Sequence, residues 1–270
     1  MEGKVMHRVV DLHGCILPGV SGAEKPQTLA ESVQMIKSLV AQGITDIFSA
    51  PTVTTDMGID EWTYMESLLK DLRLALNKEH VNVTIHDGAR VMLSDDMISY
   101  IKTHRTQYLL GQSHFMLVTV PENSKTHHIN AWLLALLNLG IIPIISDLEA
   151  HRNLFAQPEQ LLEWVDKGIL IQCSMASFDM SSPNYRRAGE LYRNGLIHFF
   201  GSGSCDNVLA YREYMESISR LDSTYKQDLL SDVQLNERDL LANRVFYPHV
   251  PSRWVGGKGN FWTRLFGFTL

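Results

Sequence analysis

Along most of this chain, short and nearly continuous apolar runs alternate with stretches of helical periodicity. Residues 8–13, 44–50, 81–85, 115–120, 141–146, 169–174 and 197–201 read as strands. They are near-continuous apolar runs rather than alternating ones, which is the pattern of strands buried on both faces. Between them lie helical segments at 28–42, 60–79, 95–103, 129–139, 158–167, 185–194 and 207–221. In the first of these, Leu29, Val33, Ile36, Leu39 and Val40 fall on one face. The junction from helix to strand repeats a glycine, at Gly43, Gly140, Gly168 and Gly195, where a helix C-terminus needs a left-handed residue. No linker interrupts the alternation before about residue 221. The pattern predicts an α/β fold, a distorted (β/α)7 TIM-like barrel over residues 1–221, with a doubly wound open sheet as the alternative. Residues 222–270 form a C-terminal extension with short helices at 222–232 and 236–243.

In a parallel barrel, chemistry gathers where strands end. Those positions are His13 and Cys15, Thr52, Arg90, Thr119, Asp147, Ser174, and residues 202–206. The set is poor in acidic ligands. The chain's net charge of −6 argues against nucleic acid as a partner, since backbone binding needs a basic surplus. No apolar run is long enough for a membrane span, and the N-terminus lacks a signal-peptide core, so a cytoplasmic location is expected. Three cysteines, Cys15, Cys173 and Cys205, do not make a disulfide framework. No GxGxxG or Walker A loop follows a strand.

Several segments resemble the PHP (polymerase and histidinol phosphatase) superfamily, and within it the bacterial protein-tyrosine phosphatases of capsule and exopolysaccharide synthesis. Residues 11–20, DLHGCILPGV, are similar to that family's D-x-H-x-H-x-L-P-G-[IV] signature. Ser49 to Thr52 matches its T-P-H, Gly88 to Arg90 its G-x-E, residues 141–149 its P-V-[IL]-A-H-P-E, and residues 196–202 the strand before its S/T-D-x-H. The resemblance runs in order from about Arg8 to Ser219. It implies a polynuclear metal centre in which clustered cations activate water and neutralise phosphoryl oxygens.

Carried over position by position, however, that ligand set is depleted. His13 is retained, but the second histidine is Cys15 and the T-P-H histidine is Thr52. The G-x-E carboxylate is Arg90, the fourth-strand glutamate is Thr119, and the histidine before P-E is Asp147. The final aspartate and histidine are Gly203 and Cys205. The acidic pair after L-P-G is Ser21 and Gly22, and the arginine after P-E is Ala150. A guanidinium cannot deprotonate, so Arg90 repels the cations that the family's carboxylate holds. The expectation is a vestigial metal site with no cofactor, in which Arg90 pairs with Asp147 or binds an anion. The alternative is a remodelled site of one zinc on His13, Cys15, Asp147 and Cys205. The other reading of His13, Cys15 and Cys205 is as ordinary core side chains.

The last residues place Phe261, Trp262, Arg264 and Phe266 close together. They form either a tail packed on the barrel or a partner-binding segment, with weak contact at a membrane surface a further option. The reading that results is a non-hydrolytic relative of the phosphatases with a binding or regulatory role. Its implied partner is a tyrosine kinase of polysaccharide export or that kinase's phosphotyrosine tail. The enzyme alternative is an active metal-dependent phosphoesterase, and a third reading is a barrel that binds small anions through Arg90.

Overall fold

The computed structural model describes residues 8–20, 26–202, 211–251 and 254. All its strand pairings are parallel, in the orders β1-β2-β4 and β3-β5-β6-β7-β8-β9. The strands are β1 (Val10–Gly14), β2 (Asp46–Ser49), β3 (Thr52–Val53), β4 (Thr84–His86), β5 (Arg90–Met92), β6 (Phe115–Thr119), β7 (Ile142–Ile145), β8 (Leu170–Ser174) and β9 (Phe199–Gly201). The two sheets share staves, because β2 runs on into β3 and β4 into β5 after short breaks. Seven staves result, as the sequence pattern predicts, in the distorted barrel that the resemblance implies.

The two strands expected at 44–50 and 81–85 are thus each followed, after a break, by a second short strand that the pattern did not predict. Pro51 has no N–H to donate, and the chain kinks there before Arg90 N donates to Pro51 O at 2.9 Å. In the neighbouring stave, Gly88 lies against the backbone: a Cβ built there would sit 2.9 Å from Ser49 O. Only glycine allows that approach. Arg90 consequently opens a strand instead of following one.

β9 returns to lie beside β1. A Cβ on Gly201 would come within 2.6 Å of His13 Cβ, and Ser202 N donates to the buried Asp11 carboxylate at 2.8 Å. The barrel interior holds Leu12, Phe48, Phe115, Leu117, Ile144, Leu170 and Phe199, all buried. The helices of the outer layer are α1 (Leu29–Ala41), α2 (Ile59–Lys78), α3 (Asp95–Thr103), α4 (Thr126–Asn138), α5 (Pro158–Asp166) and α6 (Tyr185–Arg193). Each of the four junction glycines has positive φ, between 61° and 104°. In each case the residue after glycine donates back to the last helical turn, as Ile169 N does to Trp164 O at 3.0 Å. The repeated motif therefore sets the angle at which helix turns into strand.

The helix expected to end near residue 221 continues as α7 (Tyr211–Tyr225) and stops at Lys226, φ 54°. The Asp222 carboxylate holds the turn by accepting from Tyr192 Oη at 2.8 Å and from Leu230 N at 3.1 Å. α8 (Leu229–Leu241) is one helix where two were expected. It closes the barrel floor, with Leu240 in the interior cluster and Asn236 Nδ2 donating to His198 O at 3.0 Å. Phe246 then packs on Phe115 and Phe199, with ring centroids 5.9 and 6.1 Å away. Among the described residues, no helix is long and apolar enough to cross a membrane.

Candidate functional site

At the C-terminal ends of the strands, Asp147 is the hub. It follows β7 in a left-handed conformation (φ 47°, ψ 44°), which Asp tolerates better than most residues. Gln172 of β8 clasps it twice. Asp147 N donates to Gln172 Oε1 at 3.0 Å, and Gln172 Nε2 donates to Asp147 Oδ1 at 3.2 Å. The other carboxylate oxygen faces two cationic side chains. Arg90 Nη1 donates to Oδ2 at 3.3 Å, and His13 Nδ1 lies 3.2 Å from the same oxygen. Arg90 is fixed further by Thr52, whose hydroxyl accepts from Nε at 3.1 Å and Nη2 at 2.8 Å.

The electrostatics follow from that geometry. Burial disfavours a charge on His13, but Asp147, with the Cys15 thiol beside it, lifts its pKa to about 9. Burial likewise disfavours the Asp147 carboxylate, yet His13 and then Arg90 hold it down to about 2. The centre at neutral pH is therefore an imidazolium and a guanidinium sharing one carboxylate.

Glu149, fully buried two residues on, is the opposite case. Burial and the charge of Asp147 raise it to about 7. Its Oε1 accepts from Ser174 N at 2.8 Å and Ser177 Oγ at 2.7 Å. From α6, Arg187 donates through Nε to Glu149 O. Burial, then the charge of Arg152, lowers the Arg187 pKa. His151 feels both Asp147 and Arg90, and burial holds it below its usual pKa.

The structure thus brings His13, Cys15, Arg90 and Asp147 to one place. Cys205 lies outside the described residues, as do Phe261, Trp262, Arg264 and Phe266 of the tail. Sequence reasoning missed Gln172, Glu149 and Arg187. Gln172 had a visible signal, since it is the one amide in the apolar run of residues 169–173. Arg187 had none, because a surface helix normally carries arginines.

The donor set does not fit a polynuclear metal centre. The Asp147 oxygen that a cation would need already faces a guanidinium and an imidazolium, and like charges at about 4 Å repel by roughly 1 kcal/mol even in water. Among the described residues, no three His, Cys, Asp or Glu side chains are arranged to hold a metal ion.

Among the described residues, a seven-stave parallel barrel of this kind is a PHP-type architecture. The family model described as "Capsular polysaccharide synthesis, CpsB/CapC" matches residues 9–241. The chain belongs to the CpsB/CapC family. It is 22% identical over 258 residues to CapC of Staphylococcus aureus, described as a candidate tyrosine-protein phosphatase, covering 92% of this chain and 99% of that one. It is also 22% identical over 245 residues to the tyrosine-protein phosphatase YwqE of Bacillus subtilis strain 168, covering 90% and 95%. A crystal structure from work on YwqE and on CpsB of Streptococcus pneumoniae, described as metal-dependent tyrosine phosphatases, superposes with a TM-score of 0.79. That match is 22% identical and covers 90% of this chain and 98% of the other. A lactonase of Listeria monocytogenes shares the fold at 9% identity and a TM-score of 0.56, covering 90% of this chain and 96% of that one.

Proposed function

We propose that this chain is a non-hydrolytic member of its family that binds phosphotyrosine at the barrel mouth and acts as a regulatory protein in capsule or exopolysaccharide synthesis. The observation behind the proposal is the Arg90–Asp147–His13 cluster. The chemistry of a phosphatase of this kind needs cations that lower the pKa of water and neutralise the transition state. Here the cationic groups belong to the protein. Arg90 uses one N–H from each nitrogen on Asp147 and Thr52, which leaves further N–H groups on its guanidinium for an anion. Arg187 brings a second guanidinium beside the backbone of Glu149, next to Ala150, where the related phosphatases are expected to carry an arginine. Such a site can attract and orient a phosphate. Among the described residues it supplies no group to make or position hydroxide, because His13 is protonated at neutral pH and Glu149 is sealed in the core. The partner in this reading is the phosphotyrosine tail of a tyrosine kinase of polysaccharide export.

The test is calorimetric titration of a tyrosine-phosphorylated peptide into protein prepared without chelators, with its metal content measured alongside. Binding should depend on the phosphate. Arg90→Ala should weaken it by about 1.5–3 kcal/mol, the usual worth of hydrogen bonds to a charged group. Two or more tightly held metal ions per chain would overturn the proposal. A single zinc lost in Cys15→Ser or Cys205→Ser would favour a remodelled metal site instead.

A further inference from the structure

A second cleft opens on the same face of the barrel, between the loop after β3 and the start of α3. Its volume is about 440 Å³, within the size range of small-molecule sites. Trp62 and Tyr108 form two of its walls, their rings nearly perpendicular at 85° with centroids 4.9 Å apart. Tyr100 stacks on Tyr108 at 6.0 Å and is held by a 2.7 Å hydrogen bond from its hydroxyl to Gln107 Oε1. Met97 is buried beneath them. At the rim stand Asp56 and Asp96, both exposed, and neither is ion-paired among the described residues. Among the described residues, no lysine or arginine lines the cleft.

The half-buried Trp62 ring, braced edge to face by buried Tyr108 and lying below two carboxylates without ion-pair partners among the described residues, suits an organic cation. The ring faces attract it, and the carboxylates neutralise its charge. A bare divalent ion is a poor occupant, because among the described residues no three His, Cys, Asp or Glu side chains converge to hold one. The cleft also continues from the mouth. Thr54, in its wall, is two residues from Thr52, which holds Arg90. Two residues of extended chain span about 7 Å, so one short peptide can reach both places.

Resting on the phosphotyrosine reading of the mouth, we infer that this cleft binds the lysine or arginine side chain of a residue flanking the phosphotyrosine. The chain would then recognise a bipartite motif, an anion in the mouth and a cation on the cleft side of the Trp62 ring, below Asp56 and Asp96.

A tyrosine-phosphorylated peptide that is otherwise alanine and glycine, with lysine placed at each flanking position in turn, tests this. At one position lysine should tighten binding about fivefold, as expected for a cation on partly exposed rings. Arginine should retain the gain and norleucine should lose it. The gain should disappear in Asp56→Asn/Asp96→Asn and in Trp62→Leu, while the parent peptide binds these variants as before. Both aspartates are exposed, so thermal melting should match the wild type.

Lysine without effect at every position, or an effect that survives Asp56→Asn/Asp96→Asn, overturns the inference even where the parent peptide binds. Failure of the parent peptide itself overturns the reading of the mouth. A separate measurement then judges the cleft. N-acetyl-lysine methylamide should quench the part of the tryptophan fluorescence that is missing in Trp62→Phe, and should not do so in Asp56→Asn/Asp96→Asn. Absence of that quenching in the wild type overturns the cleft assignment.

Discussion

Asp147→Asn isolates the charge at the centre of the mouth. Asparagine has the same shape, tolerates the left-handed backbone found there, and keeps both hydrogen bonds to Gln172 by presenting Oδ1 to its amide. What it removes is the compensation for His13, whose side chain is 1% exposed, and for Arg90, which is 24% exposed. His13 has a folded-state pKa of about 9 against an ordinary value of 6.5. A displacement of roughly 2.5 units corresponds to about 3 kcal/mol. Because the folded value is raised, that contribution is complete below pH 6.5 and is lost as pH climbs through about 9. Arg90 keeps its charge throughout and, being partly solvated, adds about 1 kcal/mol or less. Urea unfolding of both proteins across this range should therefore show Asp147→Asn less stable by about 3–4 kcal/mol near pH 6, narrowing to about 1 kcal/mol near pH 10. An NMR titration of the His13 ring should show its pKa falling below 6.5 in the variant, since burial, the largest influence, is then opposed only by the smaller effect of Cys15. A deficit that does not vary with pH, or stability near pH 6 equal to wild type, would refute the charge cluster as described.

Glu149 should leave a separate mark on the same curve. Its folded value, about 7, lies above the ordinary 4.5, so the wild type should lose stability as pH rises between these values, by up to about 3 kcal/mol. Glu149→Gln should flatten that segment, as read by urea midpoints at pH 5 and 8, and an unchanged slope would contradict its burial as an acid. Gly201→Ala should destabilise the protein by roughly 1–3 kcal/mol, because the new Cβ would press on His13 Cβ at 2.6 Å and His13 N at 3.0 Å. It should also shift the His13 titration, and a variant matching wild type in both respects would mean that β1 and β9 are not so close.

The barrel was legible because its signals are local. Apolar runs such as residues 115–120 mark staves buried on both faces, and a glycine followed by isoleucine or leucine marks four of the turns from helix to strand. The breaks at Pro51 and Gly88 were not legible, since they depend on which neighbouring backbone comes close. Pairing of Arg90 with Asp147 followed from setting each residue in its motif position, because an arginine and an aspartate that replace ligands of one centre must lie near each other. The Gln172 clasp and Arg187 reach Asp147 and Glu149 across 25 and 38 residues, and no periodicity encodes contacts of that range. The aromatic cleft is assembled from α2, α3 and the loop after it, so Trp62, Tyr100 and Tyr108 share no spacing that the chain alone reveals.

The central claim is that the mouth holds a phosphate ester without cleaving it. Phosphorus NMR of a tyrosine-phosphorylated peptide, mixed with stoichiometric protein and diamagnetic Mg²⁺ and followed over time, reads both halves at once. The account predicts a shifted or broadened phosphotyrosine signal that Arg90→Ala restores to the free position, with no inorganic phosphate appearing. Steady growth of the inorganic phosphate signal, abolished by His13→Ala, would contradict it and show a working phosphatase.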